Sequence, residues 1–214
     1  ATLDNGMRVV VANKGDIPLV DVSIRIATGL MADPVDAPGL ASGVFALLDK
    51  GTKRFDANEL AAERDRLGME FGLSTGIESS AFSYRILTEN LGKSLDLAAE
   101  VLRNPTFPED EFTKLQHQAL AYLSNVPSNP AGNATPLFRR AIFGADHPRG
   151  GIWSPELIEN LNLDRIAEFH EREIAPQRMT VFMIGDIDIN TAVDAVESSF
   201  GRWQNDAAST LQSV

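Results

Sequence analysis

Val20-Asp21-Val22-Ser23-Ile24-Arg25-Ile26 alternates strictly between apolar and polar residues. One side carries Val20, Val22, Ile24 and Ile26 and the other Asp21, Ser23 and Arg25, the pattern of a strand with one wet face in an antiparallel sheet. Before it, Met7 to Val11 is a short β-branched run after the turn signal Asp4-Asn5-Gly6, so the opening reads as a hairpin. A loop rich in Gly, Asp and Pro follows from Gly29 to Pro38. Gly39 to Leu48 is apolar nearly all round, which predicts a buried helix rather than a surface one.

A second helix is predicted from Asp56, with Glu59 three residues on as in a capping box and Gly68 just past its last turn. Glu70–Thr75 and Ser79–Leu87 read as strands joined by a turn at Gly76. Glu89 to Leu102 places Leu91, Leu95, Ala98, Ala99 and Leu102 on one helical stripe, and Asn104-Pro105 stops it. Pro108-Glu109-Asp110-Glu111 opens a fourth helix running to about Leu123, its acidic first turn suited to the helix dipole. Pro127, Pro130 and Gly132 are expected to break the chain before a helix over Thr135–Phe143. Beyond the loop Gly144–Gly151, the pattern predicts a helical turn at Ser154-Pro155-Glu156, a helix over Asp164–Glu173, a buried strand over Met179–Ile184 and a last helix over Ile189–Phe200. The order predicts an α+β fold, an antiparallel β-sheet with helices packed on one side. It is expected to form one domain over 1–204, followed by a polar linker or tail over 205–214.

Charge and composition then narrow the chemistry. A net charge of −11 argues against nucleic acid, whose phosphates a binder must neutralise with Lys and Arg. Its plain reading is solubility, and its sharper one a surface that attracts basic peptides. The absence of cysteine excludes disulfides, thiol nucleophiles and Cys-ligated zinc, and fits cytoplasm or periplasm. No apolar run is long enough to span a membrane, and the first residues do not form a signal peptide. Only three histidines are present. His117, beside Gln116 and Gln118, reads as a surface or helix-packing residue, and His147 in Asp146-His147-Pro148 as a loop residue with local hydrogen bonds. His170 lies near the end of an amphipathic helix, where the dipole favours a cation and a structural role is expected. Gly144–Gly151 lacks the Gly-Lys-Ser/Thr ending of a phosphate loop. Arg139-Arg140 reads as a solvated pair.

The layout and several short motifs closely resemble the pitrilysin/insulinase metallopeptidases, the family that includes mitochondrial processing peptidase. The resemblance is carried by Leu3-Asp4-Asn5-Gly6-Met7-Arg8-Val9-Val10-Val11, by Gly39-Leu40-Ala41 and Lys50-Gly51-Thr52, and by Leu67-Gly68 with Ser74-Thr75-Gly76. Glu89-Asn90-Leu91, Asn104-Pro105 and Phe107 continue it, followed by Phe143-Gly144, His147-Pro148, Gly150, Pro155-Glu156 and Ile158. Phe169-His170, Pro176, Gly185-Asp186-Ile187-Asp188 and Phe200-Gly201-Arg202-Trp203 complete it, so that it covers about residues 2 to 204. Each piece is short and weak alone; their order is specific.

Active members of that family carry H-x-x-E-H on the helix after the second strand: two His one turn apart grip zinc and the Glu is general base on the zinc-bound water. Aligned between Gly39-Leu40-Ala41 and Lys50-Gly51-Thr52, the first His position holds Ser42, the Glu position Phe45 and the second His position Ala46. The family's third ligand, a Glu on the fourth helix, would fall near Ala121 or Tyr122, and no Asp or Glu occurs from Thr113 to Ala145. The resemblance therefore implies a degenerate, non-catalytic domain with no bound metal or cofactor. Ser42 has no nucleophile elbow around it and no adjacent base. The family builds a peptide-enclosing chamber from a catalytic zinc half and a metal-free half, in one chain or two. The implied partners are therefore a catalytic zinc-peptidase half and an unfolded peptide, with no nucleic acid and no membrane. Exported bacterial relatives tilt the compartment towards the periplasm. The alternative is a structural relative, like the processing-peptidase-like core subunits of respiratory complexes, with no protease partner.

Overall fold

In the computed structural model, residues 1–15, 17–125 and 130–205 are described. The alternating run near the start is strand β2 (Leu19–Ile26), and its apolar positions are buried as the pattern requires. With β1 (Arg8–Asn13), β3 (Glu70–Thr75), β4 (Ser80–Leu87) and β5 (Met179–Gly185) it forms one sheet in the order β1-β5-β2-β4-β3. Val9, Val22, Ile24, Phe82, Val181 and Met183 lie buried on the inner face. Phe82 stacks on Phe71 with ring centroids 4.5 Å apart. The outer face is mostly exposed and mixes apolar Val10 and Ile184 with the Asp21–Arg85 ion pair.

The α+β class holds, and two details correct the reading of the opening. First, β1 and β2 do not form a hairpin. Strand β5 enters between them, parallel to β1 and antiparallel to β2, which makes the sheet mixed rather than wholly antiparallel. An apolar run as continuous as Met179–Ile184 gains most from a central position, paired on both edges, and local pattern cannot reveal such a distant partner. Gly185 lets β5 end there: its φ is 148°, and a Cβ would lie 2.0 Å from the Leu19 carbonyl oxygen. Second, Pro130 does not break the chain but begins α5 (Pro130–Phe143), with Pro136 inside it. Proline is tolerated in the first turn, where its missing N–H has no intrahelical partner. Pro127 and the tail expected over 205–214, apart from Asn205, lie outside the described residues.

The other helices follow the predicted boundaries closely: α1 (Leu40–Leu47), α2 (Ala57–Leu67), α3 (Leu91–Arg103), α4 (Glu109–Asn125), α6 (Pro155–Glu159), α7 (Leu163–Glu173) and α8 (Ile189–Phe200). Both halves of the α2 capping box form: Asp56 accepts from the Asn58 and Glu59 N–H groups, and Glu59 accepts from the Asp56 N–H. The core lies between the sheet and α1, α3, α7 and α8, where α3 packs on α8 and α1 on α7.

Several short motifs singled out in the sequence meet in space as joints. Asn5 donates to the Phe200 carbonyl at 2.8 Å and accepts from the Met7 N–H at 3.1 Å, so the first turn is tied to the last helix. The exit of α1 is tied to the exit of α3: Lys53 N–H donates to the Asn104 carbonyl at 2.9 Å and Thr106 N–H to the Gly51 carbonyl at 3.0 Å. Glu173, buried at the end of α7, pairs with Arg178 and Arg172 at 2.9 Å each and accepts from Thr28, locking α7 to the entry of β5.

Candidate functional site

Helix α1 is placed by its two ends. Gly39 precedes it at φ 97°, and the Asp33 carboxylate accepts from the Gly39 N–H at 2.7 Å and the Ala41 N–H at 2.8 Å. Asp33 thus satisfies donors that the helix start leaves unpaired, although it lies six residues before Gly39 in the loop. Burial pushes its carboxyl up to about 6, against the two N–H contacts, which favour the charged form.

Along α1, Gly39, Ser42, Gly43 and Ala46 form one stripe of small residues. Gly43 admits α7 closely, since a Cβ there would come within 2.9 Å of Ile166 Cδ1. Two spaces border this helix. The first, of about 460 Å³, is an open groove between α1 and β3, lined by Ser42, Phe45, Ala46, Phe71 and Leu73, with the Asp49–Lys50 ion pair at 3.0 Å along it. The second, of about 300 Å³, is an apolar cavity between the small-residue stripe and α4, which contributes Phe112, Leu115 and Ala119. Trp153, Ile158 and Ile166 close it from the other side. Ser42 and Ala46 line both spaces.

Ser42, Phe45 and Ala46 are therefore brought together on one helix. Phe45 is buried, and Ser42 and Ala46 are half-buried. Tyr122 is not brought to them: it is 66% exposed, one turn beyond Ala119 on α4, and lines neither space. Ala121 is exposed as well. A zinc ion needs three side-chain nitrogen, sulfur or carboxylate donors converging on one point. At α1 the side chains are a hydroxyl, a phenyl ring and a methyl group, and among the described residues no three His, Asp or Glu come together in a way that could hold a metal. The donor set does not fit zinc.

The histidines take other places. His117 is exposed on α4. His147 Nδ1 accepts from the Arg149 N–H at 3.1 Å and its ring stacks on Phe143. His170 lies 2.8 Å from the Leu102 carbonyl through Nε2, and burial holds its pKa below the usual imidazole value. The cation expected from the helix dipole is overridden by desolvation, and the neutral ring donates Nε2–H to that carbonyl. Arg139 and Arg140 are exposed. The apolar cavity was not found from the sequence. Its available signal was the stripe Phe112, Leu115, Ala119 on α4, which faces a stripe of small residues on α1 only in the folded chain.

Comparison with known proteins supplies the remaining context. Residues 8–150 match the family model described as Insulinase (Peptidase family M16), and residues 160–214 match that of the Peptidase M16 inactive domain. An uncharacterized zinc protease of Rickettsia bellii is 26% identical over 200 residues, covering 92% of this chain and 48% of that protein. The uncharacterized zinc protease YmxG of Bacillus subtilis is 24% identical over 205 residues, covering 95% of this chain and 50% of that protein. The chain thus spans about half the length of the curated relatives it matches. Among solved structures, the peptidase M16 inactive domain from Pseudomonas fluorescens superposes with a TM-score of 0.89 at 24% identity, covering 100% of this chain and 52% of that one. The periplasmic protease PqqL from Escherichia coli superposes at 0.83 with 17% identity, covering all of this chain and 24% of that one; against its first half alone the share is 47%.

Proposed function

This chain belongs to the insulinase family of peptidases, family M16, and from that premise we infer that it is a non-catalytic domain of a zinc-protease system. In this reading it helps to enclose a peptide together with a catalytic half that carries H-x-x-E-H, on the same chain or another. The observation that carries the reading is α1 itself. At the three positions where the family's chemistry requires His, Glu and His, it presents Ser42, Phe45 and Ala46, beside an open groove and an edge strand. The first two steps of metal-assisted hydrolysis, gripping zinc and deprotonating its water, have no side chain to perform them here.

Peptide holding needs neither. β3 is the last strand in the sheet order, so among the described residues no strand pairs with its outer edge, and the groove against α1 lies alongside it. Backbone hydrogen bonds to such an edge bind peptides with little dependence on sequence. The coverage of PqqL, about half of its first half, supports a domain that works beside others of its kind.

The test is reconstitution. The purified chain is expected to hold no stoichiometric zinc by elemental analysis and to leave unfolded peptides uncut. Combining it with the H-x-x-E-H half encoded in the same reading frame or its neighbour is expected to yield chelator-sensitive cleavage above that of either alone. Cleavage by this chain in isolation, lost in EDTA, would overturn the reading. Tight association with partners that include no peptidase half would favour the structural relative instead.

A further inference from the structure

β3 gives the groove Phe71, Leu73 and Thr75, so Phe71 marks one end of it. That residue is the middle of a three-part stack. Its ring lies on Phe82 with centroids 4.5 Å apart, and the Arg64 guanidinium carbon stands 4.1 Å from its centroid. Two groups this close cannot share one face of a phenyl ring, so Arg64 covers the face that Phe82 leaves. Phe82 is fully buried, Phe71 is buried at the core's margin and Arg64 is half-buried, so the stack runs from the core out to the end of the groove. The ring's quadrupole attracts the cation and holds it there without a hydrogen bond.

Arg64 has no anion of its own. Among the described residues it forms no ion pair. Glu63, its neighbour on α2, is taken by two hydrogen bonds from Arg66. Along the groove, Lys50 takes Asp49 at 3.0 Å, so those two charges neutralise each other. Glu70 precedes Phe71 in β3, where successive side chains point to opposite faces, and is therefore turned away from the groove. The Arg64 Nε is buried without a partner, whereas its Nη groups are not buried and meet solvent. The Nη groups of a guanidinium form a fork that matches the two oxygens of a carboxylate.

We propose that Arg64 is the receptor for a carboxylate of the peptide held in the groove. The Nη groups grip it end-on, while the Phe71 ring beneath holds the guanidinium in position. The carboxylate is the peptide's C-terminus or an Asp or Glu side chain. The proposal rests on the peptide-holding role inferred above and adds a chemical preference to it. That preference is opposite in sign to the effect of charge at long range, because a chain of net charge −11 repels acidic peptides. An affinity that rises when the peptide gains a negative charge therefore reports a local cation.

The experiment measures binding of four hexapeptides to the full chain by calorimetry. The first is uncharged, acetylated at its N-terminus and amidated at its C-terminus. The second has the same sequence with a free C-terminal carboxylate, and the others are amidated forms with Glu for Gln near the first or the last residue. At least one carboxylate peptide is expected to bind about threefold to tenfold more tightly than the uncharged one, as a charge-assisted pair at a half-buried site implies. A gain from the free acid identifies the C-terminus as the source, and a gain from Glu identifies the side chain. Either gain is expected to vanish in Arg64→Met, which keeps an unbranched stem over Phe71, while the uncharged peptide binds as before. Should Arg64→Met lose its thermal transition, Arg64→Lys takes its place: it keeps the charge without the fork and is expected to lose part of the gain. All four peptides binding alike to the unmodified chain would overturn the carboxylate receptor and leave the peptide-holding reading standing. A gain left whole in a folded variant would overturn it as well, by placing the carboxylate elsewhere. Binding of none of the four would overturn both readings.

Discussion

Asp33 and His170 act on stability in opposite senses as the pH falls below neutral. Burial raises the Asp33 carboxyl from 3.8 to about 6, so between those values the folded chain keeps a proton that the unfolded chain has shed. Stability from this group therefore rises as pH falls from 7 through 6 and levels off below 3.8. His170 has its pKa lowered by burial, so below the ordinary imidazole value the unfolded chain gains a proton that the folded ring refuses, and stability falls with falling pH. The two contributions partly cancel in the parent protein. Asp33→Asn is expected to remove the first alone. Urea midpoints taken from pH 7.5 down to 4.5 are then expected to show the parent gaining on this variant by about 1–3 kcal/mol. A difference that does not change with pH would show that Asp33 titrates as an exposed carboxyl does.

Among the elements, α2 and α1 differ in what holds them. α2 is mostly exposed, burying only Leu60 and Leu67, and relies on its ends: the Asp56–Glu59 capping box and Gly68 at φ 65°. Asp56→Ala removes the side-chain acceptor of two N–H groups and is expected to cost about 1 kcal/mol, measurable as a shifted denaturation midpoint with unchanged m-value. Helix α1 has no such side-chain cap at Gly39; it borrows Asp33 from the preceding loop and is held by burial of Leu40, Val44, Phe45 and Leu47. A helix embedded in this way can lose the ligands of a metal site and remain in place, because its position depends on apolar contacts. On the reading proposed above, Phe45 illustrates such an exchange. A carboxylate there would be costly to bury without a partner, whereas a phenyl ring stabilises by about 1.5–3 kcal/mol.

At the scale of the whole molecule, the decisive feature is the position of β5. The two matched family segments, 8–150 and 160–214, do not correspond to separate sheets, because β5 from the second lies between β1 and β2 from the first. A fragment ending at residue 150 keeps β1 to β4 but loses α6, α7, β5 and α8, leaving β1 without its ladder partner and Val22 and Ile24 without the neighbouring Met183 and Val181. Such a fragment is expected to lack a cooperative thermal transition and to show collapsed amide dispersion by NMR, while the chain through residue 205 shows both in full. A well-dispersed spectrum from the short fragment would indicate that the first segment folds alone.

Most element types and boundaries were legible in the sequence because they depend on neighbours along the chain. Alternation at Val20–Ile26 defined a half-buried strand, the Asp56–Glu59 spacing a helix start, and the uninterrupted apolar run Gly39–Leu48 a buried helix. The lack of metal donors at Ser42, Phe45 and Ala46 was equally legible, since it is a matter of which atoms the side chains possess. Other features depend on residues far apart in sequence that meet only when the chain folds: the insertion of β5 beside β1, the capping of α1 by Asp33, the desolvation that keeps His170 neutral, and the cavity between α1 and α4. Local pattern carries no record of such partners, because their free energy comes from burial and pairing across the fold, and these exist only once tertiary contacts have formed.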